Sequence, residues 1–219
     1  VINTAMTSVN SHVVYEVART LPVNSADVAV VLMGNNEVVG PYGPGTFNQN
    51  FLSNIHAIRT LQMLKRTRLW QLFDRALTQF GANDARSDLE WQGMQMFVDH
   101  GVAQTDPRME AVYQHFETNL HDIIDMLSAK GMHVVVSTVP VNLRHSAPFL
   151  SLSSEALTEL EQKDAAAFRE QAHVQALAGQ WSRAQTLWEE AIRLDPSYAD
   201  AHFQLATSLE NQGKYQQAQ

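Results

Sequence analysis

Four consecutive residues in this chain carry the clearest chemical possibility: Gly34, Asn35, Asn36 and Glu37, which follow the apolar run Val28, Val30, Val31, Leu32 and Met33. Gly34 lets the backbone turn at little steric cost, and Asn36 can project a neutral amide donor beyond that turn. A fixed neutral donor suits an oxyanion hole, where it meets the negative charge that develops on a substrate carbonyl oxygen. Gly and Asn also favour turns for purely local reasons, so these residues alone leave both readings open. A second group follows the apolar run from His133 to Val139. Asn142, Arg144 and His145 stand in its exit loop, PVNLRHSAPF, where side chains can reach a substrate. Arg144 can clamp an anionic group and His145 offers an imidazole, yet each can equally serve to satisfy loop carbonyls.

The other ionisable residues narrow the chemistry. None of the nine histidines has an Asp three positions earlier; the nearest match, Glu170-x-x-His173, lies in a helical stretch and reads as a solvated pair. No two histidines flank a Glu on one helical turn, so no metal is expected, and nothing calls for a cofactor. Zero cysteines exclude disulfides, thiolate metal sites and a Cys nucleophile, without identifying a compartment. A net charge of −8 and a pI near 5.5 argue against binding nucleic acid or anionic lipid, which needs a basic patch. The 45% hydrophobic and 17% charged composition is ordinary for a core-forming protein, and no apolar run is long enough to span a bilayer.

These candidates need elements to position them. The run from Asp27 to Met33 is too uniformly apolar for a strand with one wet face and predicts a central parallel strand covered on both sides. Val1 to Asn3 reads as the end of another strand. Val13, Val14, Val17 and Leu21 recur at helical spacing up to Pro22, with Ser11 or Asn10 as cap. Together they predict a strand, helix, strand unit with parallel pairing. Helical text follows from Asn50 to Phe80, with Ile55, Ile58, Leu61 and Leu64 on one face, until Gly81-Ala82-Asn83-Asp84 breaks it. Trp91, Met94, Met96 and Phe97 read as core or lid. From Pro107 to Lys130, Met109, Val112, Tyr113, Phe116, Leu120, Ile123, Ile124 and Leu127 keep steps of three and four, with Asp106 as cap and Gly131 as stop. His115, His121, Asp122 and Asp125 fall among that helix's more polar positions and read as solvated.

After Phe149 the strand signal ends and a repeat begins. Ala172, Gly179, Trp181 and Ala184 recur 34 positions on as Ala206, Gly213, Tyr215 and Ala218, with Trp188, Ala191 and Pro196 closing the first unit. That period is the tetratricopeptide pattern of paired helices, which packs through small residues and binds protein partners. Gln171 and Gln175 depart from its apolar preference. The expected division is therefore residues 1–150 as an α/β domain and 151–219 as all-α helix pairs.

Gly34-Asn35-Asn36 resembles the third signature block of the SGNH (GDSL-type) hydrolases, and the longer text GNNEVVGPYGPGT resembles bacterial members that also carry tetratricopeptide repeats. Asn3-Thr4-Ala5-Met6 resembles their second block, with Ala5 where the family has Gly. The resemblance implies a flavodoxin-like parallel three-layer sheet and cleavage of an acyl or acetyl ester. Asn36 through its side chain and Ala5 through its backbone N–H would then form the oxyanion hole, with Gly34 setting the turn. It also implies a Ser nucleophile in a Gly-Asp-Ser block and an Asp-x-x-His pair, and neither occurs here. The chain opens at Val1 within an expected strand and closes at Gln219 within an expected helix, so it reads as an interior fragment whose compartment, cytoplasm or cell envelope, stays open. Two other classes fit the same text: a catalytically inactive repeat scaffold, and an O-acyltransferase using the same Ser chemistry.

Overall fold

The computed structural model describes residues 1–46, 52–79 and 100–219. The expected break at Gly81 to Asp84 and the apolar group Trp91, Met94, Met96 and Phe97 lie outside the described residues. Contacts divide the chain into two compact units, Val1–Pro140 and Val141–Gln219.

In the first unit, β1 (Val28–Leu32) and β2 (His133–Ser137) pair in parallel, with Val28 opposite His133 and Leu32 opposite Ser137. Four helices accompany them: α1 (Ser11–Thr20), α2 (Ile55–Lys65), α3 (Arg68–Gln79) and α4 (Arg108–Ala129). Each start has a local cause. Asn54 accepts from the amides of His56 and Ala57 to cap α2, and the Thr67 hydroxyl accepts from Trp70 N to start α3. The Asp106 carboxylate accepts from Arg108 N at the head of α4. Gly131, at φ +85°, ends α4 in the left-handed region, where a side chain would meet Asn24.

The core lies between α1, α4 and one face of the strand pair. Ala18, Val31, Met33, Ile123, Leu127 and Met132 are buried together, flanked by Val14, Phe116, Leu120 and Val134. The opposite strand face is open: Val28 is 51% exposed, Val30 72% and Leu32 60%. This corrects the expectation of a doubly covered central strand; where a three-layer sheet was expected, the described residues form a sheet of two strands. A uniformly apolar strand offers two faces for burial, but the second cover must come from residues elsewhere. Val1 to Asn3 form no strand either. Ile2 is 63% exposed, and Asn3 turns its side chain back to accept from Ala5 N, a local bond in place of a ladder bond.

The second unit contains α5 (Glu159–Leu177), α6 (Trp181–Leu194) and α7 (Ala199–Asn211). Thr158 and Glu161 form a reciprocal capping box at the head of α5. Ala172, Ala184, Trp188 and Ala201 make the buried centre, so small residues let the helices approach while one indole fills the space between them. Gly179 (φ +70°) and Gly213 (φ +77°) end α5 and α7 in the same way, which puts the 34-residue spacing on equivalent helix ends. The segment ahead of α5 is tied to the α6–α7 joint: Ser154 N and the Ser197 hydroxyl donate to the buried Asp195 carboxylate, and Asp200 N donates to Ser151 Oγ. Arg169 lies over the Tyr198 ring at 3.9 Å beside that joint.

Candidate functional site

The chain leaves β1 through Met33 into a loop from Gly34 to Gly45 that is folded on itself. Gly34 takes φ +124°, and a Cβ there would stand 3.4 Å from the Phe116 ring of α4. Gly40 N donates to Asn36 O at 2.7 Å, Gly43 N to Gly40 O at 3.0 Å and Gly45 N to Val38 O at 2.9 Å. A Cβ on Gly40 would come within 2.6 Å of Asn36 O and 2.8 Å of Asn10 Cβ, so this loop closes against α1 only where side chains are missing.

Three side chains fasten that loop to the start of α1. Asn10, at the N-cap, does not cap its own helix; its Nδ2 donates to Pro41 O at 2.8 Å. The capping comes from the loop, where Glu37 accepts from Ser11 N at 2.8 Å and from Ser11 Oγ at 2.6 Å. Asn36 Nδ2 donates to Val9 O at 3.1 Å. A carboxylate at a helix N-terminus satisfies free N–H groups and meets the positive end of the helix dipole.

Behind this contact lies a buried polar chain that crosses to α4 and α2. Asn119 Nδ2 donates to Ser11 Oγ at 3.0 Å and meets His12 Nδ1 at 3.1 Å. Asn119 Oδ1 accepts from Arg59 at 3.0 Å, and Arg59 also pairs with Asp122 at 2.6 Å. The His12 ring meets His115 edge-on at 5.2 Å and Tyr42 at 5.8 Å. His115 Nε2 donates to Ser53 O at 3.0 Å. His12 is lowered from 6.5 to about 4, first by burial and then by the neighbouring His115 and Arg59, and burial lowers His115 too. Burial raises Glu37, against the opposing effect of its two bonds from Ser11. His115, expected on a solvated face, is therefore only 6% exposed, and Asp122 is an ion-pair partner. The buried stripe of α4 runs Val112, His115, Asn119, Ile123 and Leu127, at the same steps of three and four as its apolar residues.

His12 and Asn119 were absent from the sequence-based candidates, Glu37 stood there without a role of its own, and His115 was read as solvated. His115 and Asn119 lie at helical steps from Val112 and Ile123, and that spacing was the available signal. The expected oxyanion donors are both engaged by the chain itself. Asn36 gives one N–H to Val9 O, and the exposed Ala5 gives its N–H to Asn3 Oδ1 at 3.0 Å. Among the described residues no three His, Asp or Glu side chains converge as metal ligands.

Asn142, Arg144 and His145 belong to the second unit. Asn142 Oδ1 accepts from His145 N at 3.0 Å and so closes its own turn, and Arg144 pairs with Glu210 of α7 at 2.8 Å. Leu143 and Arg144 line a cleft of about 480 Å³ with Phe203, Thr207, Glu210 and Tyr215. Glu170 and His173 are exposed on α5, as expected of a solvated pair.

The helix ends at Gly179 and Gly213 and the small-residue packing set the period of this unit in three dimensions. Residues 187–219 match the Tetratricopeptide repeat family. No curated protein and no solved structure matches the chain. The match begins inside α6, continues through α7 and does not reach the residues that resemble the ester hydrolases. A tetratricopeptide segment points to protein interaction. Its buried aromatic is Trp188, whereas Tyr215, at the position equivalent to Trp181, is 60% exposed and followed by turns. Among the described residues no helix is long and apolar enough to cross a membrane.

Proposed function

We propose that residues 1–140 carry part of a Ser-dependent SGNH-type ester hydrolase site, with Asn36 as an oxyanion donor, and that residues 141–219 dock a protein partner. The observation that carries the first half is the tether on Asn36. An amide nitrogen has two N–H groups, and the bond to Val9 O fixes the side chain with one and leaves the other to meet an oxyanion. A donor held before the reaction stabilises developing charge without reorganising. Gly34 sets the turn that presents it. Ala5 N–H contributes once the Asn3 side chain yields it. The second half rests on the tetratricopeptide match and on the cleft along α7 that Arg144 lines; Arg144, with Asn142 and His145 beside it in sequence, then belongs to partner docking, not to ester binding.

The test is release of p-nitrophenol from p-nitrophenyl acetate by the complete gene product. Asn36→Ala is expected to lower kcat by roughly 10² to 10³ with little change in KM. Normal turnover in that variant removes Asn36 from the mechanism.

A second reading is a catalytically inactive repeat scaffold. It is favoured by the engagement of both donors with the chain's own Val9 O and Asn3 Oδ1. It predicts no ester turnover and no labelling of the complete gene product by a fluorophosphonate probe.

A further inference from the structure

The buried chain behind the Gly34 to Gly45 loop has a fixed direction. Arg59 can only donate, so Asn119 Oδ1 must be the atom facing it and Asn119 Nδ2 the atom facing Ser11 and His12. Ser11 Oγ gives its proton to Glu37 and therefore receives from Asn119. His12 Nδ1 consequently accepts, which makes the ring the neutral tautomer with its proton on Nε2. The amide of Asn119 cannot turn over to oblige a protonated His12, because its NH2 would then face the Arg59 guanidinium.

We propose that the His12 to Asn119 contact is an acid-sensitive latch, which holds the Gly34 to Gly45 loop on the start of α1 and releases it when His12 takes a proton at Nδ1. That proton puts an N–H against the N–H of Asn119, in a site where His12 is 4% exposed. Separation of the pair also withdraws Asn119 from Ser11, whose hydroxyl and amide hold Glu37, and loosens Tyr42 from the His12 ring. The loop thus loses its acidic cap and its aromatic contact together.

Among the described residues the surrounding charges do not compensate the new one. From α2, Arg59 adds a like charge, and Lys65 lies 5.9 Å from the Tyr42 ring centroid. From α4, His115 competes for a proton while Asp122 is paired with Arg59. In the loop the Glu37 carboxylate is bound to Ser11, and on α1 Glu16 is paired with Arg19 and Arg66. The latch depends on no ester chemistry, so it stands or falls separately from the proposed activity.

The test is native-state amide exchange of the 219-residue chain at pH 7.0 and 4.5, expressed as protection factors so that intrinsic exchange is removed. The reporters are the Gly40, Gly43 and Gly45 amides, bonded to Asn36, Gly40 and Val38 carbonyls, with Ile123 and Leu127 in α4 as controls. With His12 at 6.5 when released and about 4 when held, loop protection should fall by roughly 50-fold and lie below that of the α4 controls at both pH values, because the controls exchange only when the whole unit unfolds. His12→Gln keeps an acceptor for Asn119 and does not titrate, so its loop protection should be the same at both pH values. Unchanged loop protection in the wild-type chain, loop protection equal to that of Ile123 and Leu127 at both pH values, or the same fall in His12→Gln each overturns the latch. The wild-type comparison decides the question even where the variant does not fold.

Discussion

Glu37 caps a helix that begins 26 residues before it. Its two carboxylate oxygens take the backbone N–H and the hydroxyl of Ser11, at 2.8 and 2.6 Å, so the acid stands on the loop and acts on α1. The bond fastens the exit of β1 to the helix that packs beside it. Glu37→Ala leaves Ser11 N unpaired in a part-buried site and removes the charge at the positive helix end, at an expected cost of about 1 to 3 kcal/mol. Urea denaturation followed by far-UV circular dichroism measures it; Glu37→Gln should recover part of the loss.

The other end of α1 is held by the opposite charge. Lys130 Nζ donates to the carbonyls of Ala18, Arg19 and Leu21 at 2.7, 2.8 and 2.6 Å. These carbonyls lie at the negative end of the helix dipole, so the ammonium satisfies three acceptors and complements the field. Lys130→Met keeps most of the stem and removes the donor, and is expected to cost about 1 to 2 kcal/mol. Combined with Glu37→Ala it should be close to additive in the same denaturation assay, because the two sites share no partner.

Stability of the first unit should fall as the pH is lowered from about 6.5 towards 4. His12 has its proton affinity depressed in the folded chain, to about 4 from 6.5, so the unfolded chain binds more protons across that window. His115 is depressed in the same direction. The His12 contribution amounts to at most about 3 kcal/mol, present above the window and lost on descending through it. Glu37 acts in the opposite sense: its raised affinity makes the folded chain the better proton acceptor just above the ordinary carboxylate range, which offsets part of the loss there. Urea midpoints measured from pH 7.5 to 4, with His12→Gln flattening the curve, check the assignment.

In the second unit Trp188 is the large side chain among small ones, 2% exposed between Ala172, Ala184 and Ala201. Trp188→Ala leaves a cavity that three alanines cannot fill and should cost about 3 to 5 kcal/mol. The helical signal of α5 to α7 should melt earlier while the Ile123 and Leu127 amides keep their protection. Loss of protection at those two amides would show that the two units do not unfold separately.

Several features were legible in the residues themselves. The helix from Arg108 to Ala129, the strand at Val28, and the 34-residue spacing of Gly179 and Gly213 follow from periodicity and stop signals, which are local properties of the chain. The parallel partner of that strand, by contrast, is His133–Ser137 and not the expected segment at Val1. Tertiary structure decided how those pieces are covered and what the polar residues do. The same apolar run that predicted a doubly covered strand has one face open, since cover depends on elements distant in sequence. Arg144 and Asn142, read as substrate contacts, close an ion pair with Glu210 and a local turn. Glu37 and Asn119 owe their roles to Ser11, which is 26 residues from one and 108 from the other, and no local pattern encodes such a pairing. Spacing along one helix or strand can be read residue by residue, whereas a buried hydrogen-bond chain exists only where three separate segments meet.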